Sequence, residues 1–285
     1  MAANDDLDIV DSQLHIWAAE TPDRPWPPHL SWNTHGPDHI TAKSVIERMD
    51  AAGVNAAVLV PPSFEGDRND FCLEAANTYP GRFKVFGRFP LDAAGIERVI
   101  QDGMKDEDLL GIRVTFNSLT ANWLVDGTLE WFWPFAEKNN VPVSLWCPGQ
   151  MRELGEVALR FPRLKLSVDH LGLKEGLSLE DVRRLVGELE QLGKRPNVGL
   201  KVSGLACSMG SNYNVKNVRE LTDQLLDWFE PERLFWGSDM TRCVPNTYRE
   251  SIDIFLDAVA AKPRHVVELM MGQSLRNWIG WPRGQ

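Results

Sequence analysis

The residues best suited to chemistry stand at the ends of apolar runs. His15 lies near the end of DSQLHIW, His170 closes LKLSVDH and Asp239 closes RLFWGSD, while Arg113 sits late in LLGIRVTF and Lys201 and Ser203 late in NVGLKVSG. An imidazole gives or takes a proton near neutrality, a carboxylate accepts one from water, and a guanidinium clamps a carboxylate. Together these residue types offer acid–base groups and a clamp for an anionic ligand. Gln13 alternates with Leu14 and shares a strand face with His15, so an amide joins the set. Trp146, at the end of VPVSLWC, is a candidate pocket wall.

Such residues work together only if the elements carrying them converge. Strand patterns fall at roughly 8–16, 54–61, 83–90, 109–116, 141–147, 164–170, 197–204 and 233–239, separated by helical patterns such as TAKSVIERMDAAG with its Gly53 stop. Alternating strands and helices predict a parallel sheet. Eight strands in 285 residues predict one α/β domain over 1–285, a distorted (β/α)8 TIM barrel with a long loop after strand 1. An open doubly wound sheet competes, but no GxGxxG or GxxxxGK[ST] follows any strand. Barrel active sites are built from the carboxyl ends of strands, where the histidines, Arg113 and Asp239 fall.

Each residue also has a plainer role available. Asp11, deeper in strand 1, reads as structural, Arg113 could pair with a barrel carboxylate, and Trp236 reads as core. The segment Glu20 to His39 carries Trp26, His29, Trp32 and His35 and has the length of a lid over the site.

Composition narrows the function classes. A formal charge of −10 with no basic run disfavours nucleic acid, and no stretch reaches the ~20 apolar residues of a membrane span. The acidic start MAANDDLD has no secretory pattern, which predicts a cytoplasmic protein. Cys72, Cys147, Cys207 and Cys243 are widely spaced and predict free thiols; none has an evident histidine partner for nucleophilic chemistry.

At DSQLHIW, SVDHLG, KVSG, WGSDM and GQSLRNWIGW the chain resembles the amidohydrolase superfamily, in particular the amidohydrolase-2 branch that holds the lactone hydrolases. The resemblance implies that His15, His170 and Asp239 are catalytic, with Asp239 as general base. It also implies that Arg113 binds a substrate carboxylate. Strand 1 of that branch usually ends in HxH, and here Gln13 replaces the first histidine. An amide is a poor ligand for zinc and its relatives, and Trp146 and Cys147 stand where metal-binding members often carry lysine or histidine.

The expectation is a hydrolase that needs no cofactor and opens a lactone or activated ester of a small anionic substrate. Gln13, Arg113, Trp146, Ser203 and Lys201 are expected to bind that substrate. Left open are one divalent metal such as zinc or manganese, rebuilt through Cys147 or a loop histidine, and a metal-dependent decarboxylase or a hydratase of an aromatic or unsaturated acid. A catalytically retired binding barrel and a homo-oligomer are open as well.

Overall fold

The computed structural model describes residues 7–28, 38–242 and 247–281. Eight parallel strands follow one another in sheet order: β1 Val10–Leu14, β2 Ala56–Leu59, β3 Phe83–Gly87, β4 Leu109–Thr115, β5 Val143–Trp146, β6 Leu166–Val168, β7 Val198–Val202 and β8 Leu234–Trp236. Each lies within a span the sequence patterns assign. The runs are almost wholly buried because each strand is covered on both faces, by barrel interior and by helices.

Local signals set the helices. In α1 (Ala42–Ala52) the Thr41 side chain caps the first turn and Gly53, at φ 76°, ends the last, a conformation that costs a side chain but not glycine. Two helical patterns come out shorter than the sequence suggests. The run TLEWFWPFAEKNN is helical only over Phe132–Lys138, and LEDVRRLVGELEQLG breaks into Leu179–Gly187 and Glu190–Gly193. Arg264–Glu268 and Ser274–Ile279 form helical segments that strand and helix periodicity did not assign.

Seven strand pairs carry parallel ladders, and individual backbone and side-chain hydrogen bonds link β1 to the segment that follows β8. The Asp239 amide donates to the Gln13 carbonyl at 3.0 Å. Asp11 accepts from the Ser238 amide at 2.9 Å, the Ser238 hydroxyl at 2.5 Å and the Tyr248 hydroxyl at 2.7 Å. Asp11 is thus the structural residue its depth suggests. A register shift in β1 between Asp11 and Leu14 adds to the distortion of the barrel.

The expectation of four free thiols fails at Cys207, which is disulfide-bonded; Cys243 lies outside the described residues. Linear spacing could not show it, because such a pairing is made by the fold. Cys72 and Cys147 are free and buried. Among the described residues no helix is long and apolar enough to cross a membrane.

Candidate active site

The carboxyl ends of the strands bring His15, His170 and Asp239 together as the sequence predicts. Nε2 of His15 lies 3.1 Å from Oδ1 of Asp239, and Nε2 of His170 lies 3.8 Å from Oδ2. Both imidazoles line a cavity of about 640 Å³ at the barrel mouth, and Asp239 sits between and behind them.

The backbone is bent to achieve this. His170 and Asp239 both adopt left-handed conformations, at φ 54° and 53°. That region costs a side-chain-bearing residue on the order of 1–2 kcal/mol, and such outliers gather at functional sites. Gly204, at φ 64°, makes room: a Cβ there would stand 2.7 Å from His170 Nδ1 and 3.4 Å from Asp239 Oδ2.

Hydrogen bonds orient each ring. Val60 offers His15 Nδ1 a carbonyl oxygen at 2.6 Å, an acceptor that requires the proton on that nitrogen. Ser203 Oγ lies 3.0 Å from Nδ1 of His170. Burial pushes the His170 pKa down, more than the nearby Asp239 and Asp169 can restore, to about 4. Burial also pushes Asp239 up, but His170 and the His15 hydrogen bond outweigh it and hold this carboxyl well below the usual range. At neutral pH the site therefore holds an ionised Asp239 beside an uncharged His170.

Arg113 makes the ion pair with a barrel carboxylate that its plainer reading allows, and it also reaches the cavity. Its guanidinium pairs with Asp169, which is completely buried. Burial raises Asp169, but Arg113 and Lys201, with a hydrogen bond from Ser144 at 2.5 Å, hold it far below the ordinary carboxylate value.

Two contributors escape the sequence reading. Asp169 is one. The other is Arg88, just past β3, which donates to the Pro61 carbonyl at 2.6 Å and to Thr115 Oγ1 at 2.9 Å and lines the same cavity as Arg113. Burial, with the neighbouring Arg113 cation, presses its pKa down to about 9, so it still carries charge at neutral pH.

Three expected substrate-binding residues do not reach the cavity. Gln13, Lys201 and Ser203 are fully buried behind it, each held by a hydrogen bond or ion pair. The cavity wall at β1 begins with His15, and that at β7 is shielded by His170. Trp146 is placed as expected: half-buried, it lines the cavity and donates its indole N–H to the Leu173 carbonyl at 2.9 Å. Cys147 is buried with its thiol pushed up to about 12, chiefly by burial, which removes it as a nucleophile. Trp26 packs on Phe64 at 4.8 Å between ring centres, and Arg24 pairs with Glu65 and Asp70, so the start of the long loop is pinned to the barrel. His29, Trp32 and His35 lie outside the described residues.

Among the described residues no three His, Cys, Asp or Glu side chains are arranged to hold a metal ion. Next to His15 Nε2, at 3.3 Å, stands the amide nitrogen of Gln13, a donor where a metal requires a lone pair.

Comparison with known proteins agrees with the fold. The amidohydrolase family model matches residues 10–273, and the chain belongs to that family of hydrolases. An L-fucono-1,5-lactonase from Burkholderia ambifaria is 25% identical over 235 residues, spanning 81% of this chain and 79% of that protein. An amidohydrolase from Burkholderia multivorans with bound zinc superposes with a TM-score of 0.80 at 20% identity, over 96% of this chain and 100% of its own. A probable 2-pyrone-4,6-dicarboxylic acid hydrolase from Acinetobacter baumannii, with citric acid bound, reaches 0.76 at 22% identity, over 96% and 100%.

Proposed function

We propose that this hydrolase opens a lactone or similarly activated ester of a small carboxylate-bearing molecule, without a bound divalent metal and with Asp239 as general base. One observation carries the reading: a single cavity is lined by His15 and His170, the two rings that flank Asp239, and by the guanidinium groups of Arg88 and Arg113.

In this account the arginines hold the substrate carboxylate and present the ester carbonyl to the two histidines. Asp239 takes a proton from water as the water oxygen bonds to the carbonyl carbon. The oxyanion that forms is stabilised by hydrogen-bond donors at the cavity wall. Collapse breaks the carbon–oxygen ester bond, and the alkoxide released takes up the proton. Esters suit a site with no metal because an alkoxide leaves more readily than an amide nitrogen. The likeness to an L-fucono-1,5-lactonase and to a pyrone-dicarboxylic acid hydrolase supports lactones as the substrate class.

The test is a lactone panel that includes sugar 1,5-lactones and carboxylate-bearing lactones, each assayed by acid release. The reading expects the highest kcat/KM among the carboxylate-bearing members and a loss of that preference in Arg88→Met. Equal turnover of neutral sugar lactones would contradict the anionic substrate class while leaving lactone hydrolysis intact.

A further inference from the structure

The buried lysine on β7 is not in the cavity, yet it touches the residue that touches the catalytic ring. Lys201 Nζ lies 2.8 Å from Gln13 Oε1 and 3.0 Å from Asp169 Oδ1, with the Phe86 ring 5.3 Å below. Gln13 Nε2 in turn lies 3.3 Å from Nε2 of His15.

An ammonium group has three donors and no acceptor. The Gln13 atom that faces it must therefore be the oxygen, and the amide is not free to turn over. Its NH2 group is directed at His15. The opposite side of that ring is fixed as well, since Nδ1 gives its proton to the Val60 carbonyl.

We propose that Lys201 is a positioning residue for the hydrolysis described above, acting through Gln13 on His15. With the amide held oxygen-inward, Gln13 offers His15 Nε2 no acceptor. A proton on Nε2 is then directed to Asp239 Oδ1, 3.1 Å away, and a lone pair on Nε2 is met by the Gln13 N–H. In neither state does Gln13 draw the proton away from Asp239. Without Lys201 the amide can rotate, its oxygen can face the ring, and the Nε2 proton gains a second acceptor that leads away from the reacting atoms. Asp169 anchors the other side of Lys201 and carries Arg113 too, so one carboxylate ties the base cluster to the anion clamp.

This proposal rests on the hydrolase reading for its kinetic arm only. Nitrogen-15 spectra of the labelled histidines, recorded on protein without substrate, read the His15 ring directly. The variants are Lys201→Met, Gln13→Glu and the pair combined. Gln13→Glu leaves an oxygen for Lys201 and replaces the N–H with an acceptor, so it does not depend on removal of a buried charge for its effect.

The expected result is a shift of the His15 ring-nitrogen signals in both single variants. On a lactone that the wild type hydrolyses, kcat should fall about 10–100-fold in each while KM stays within about twofold, the size usual for loss of an orienting neighbour. The combined variant should be no slower than the worse single one, because the two act as one unit. Unmoved His15 signals in folded Gln13→Glu, or additive losses in kcat, would overturn the proposal. If no lactone is turned over by the wild type, the hydrolase reading fails and the spectra alone decide this one.

Discussion

Asp239 Oδ1 stands 3.1 Å from His15 Nε2, although the two residues lie just past the first and last strands of the barrel, whose seam carries scattered backbone and side-chain hydrogen bonds rather than a regular ladder. The seam that closes the barrel thus also holds the proposed base beside His15. The same short stretch that supplies Asp239 also supplies Ser238 to Asp11, so the anchor and the proposed base are neighbours in sequence.

Asp239→Asn tests the base. The amide cannot accept the water's proton, so kcat should fall by about 100-fold or more, the lower range for general base catalysis, while substrate affinity measured by calorimetry stays close to wild type. Turnover within tenfold of wild type would assign the base elsewhere.

The two arginines should separate. Arg88 makes no ion pair among the described residues, so Arg88→Met should raise KM by roughly tenfold or more, as loss of a charge-assisted hydrogen bond worth about 1.5–3 kcal/mol implies. Arg113→Met also leaves Asp169 short of a partner and should lower stability by about 3 kcal/mol, visible in denaturant midpoints. Equal stability of the two variants would contradict the structural half of the Arg113 role.

Acid sensitivity follows from His170. Its pKa is depressed in the folded protein, from 6.5 to about 4, so the unfolded chain binds the extra proton first. The contribution is fully present above pH 6.5 and is lost as pH falls toward 4. Asp239, also depressed, adds a second loss below the ordinary carboxylate range. His170→Asn should flatten the stability curve between about pH 6.5 and 4; an unchanged slope would mean that other groups govern it.

Gly204→Ala should abolish turnover without preventing purification of a folded barrel. The added methyl falls on the His170 ring and the φ of 64° is strained for alanine, a combined cost of at least ~1 kcal/mol concentrated at the site. A wild-type kcat in this variant would show that the ring tolerates displacement.

Much of this was legible in the sequence, and the failures have physical causes. Strands stood out as short apolar runs because a parallel barrel buries both of their faces. His15, His170 and Asp239 were visible as polar residues closing those runs. Asp169 was not, since strict alternation sends adjacent residues to opposite faces. The left-handed turn at His170 lets Asp169 and His170 both serve the barrel interior. Its signal was indirect: Arg113 and Lys201, two cations on buried strands, need a carboxylate nearby. Arg88 met the criterion that exposed Arg113, a charged residue at the end of a buried strand, in FKVFGRFP. Gln13, Lys201 and Ser203 were found on the right strands but one layer too deep, because depth along a barrel depends on strand tilt and register.

Lactone hydrolysis by Asp239 without a metal is tested by turnover after exhaustive chelation, with zinc and manganese counted in the same sample. The account expects substoichiometric metal and undiminished kcat on a carboxylate-bearing lactone. Stoichiometric zinc or manganese, with activity lost on its removal and restored on its return, would contradict it.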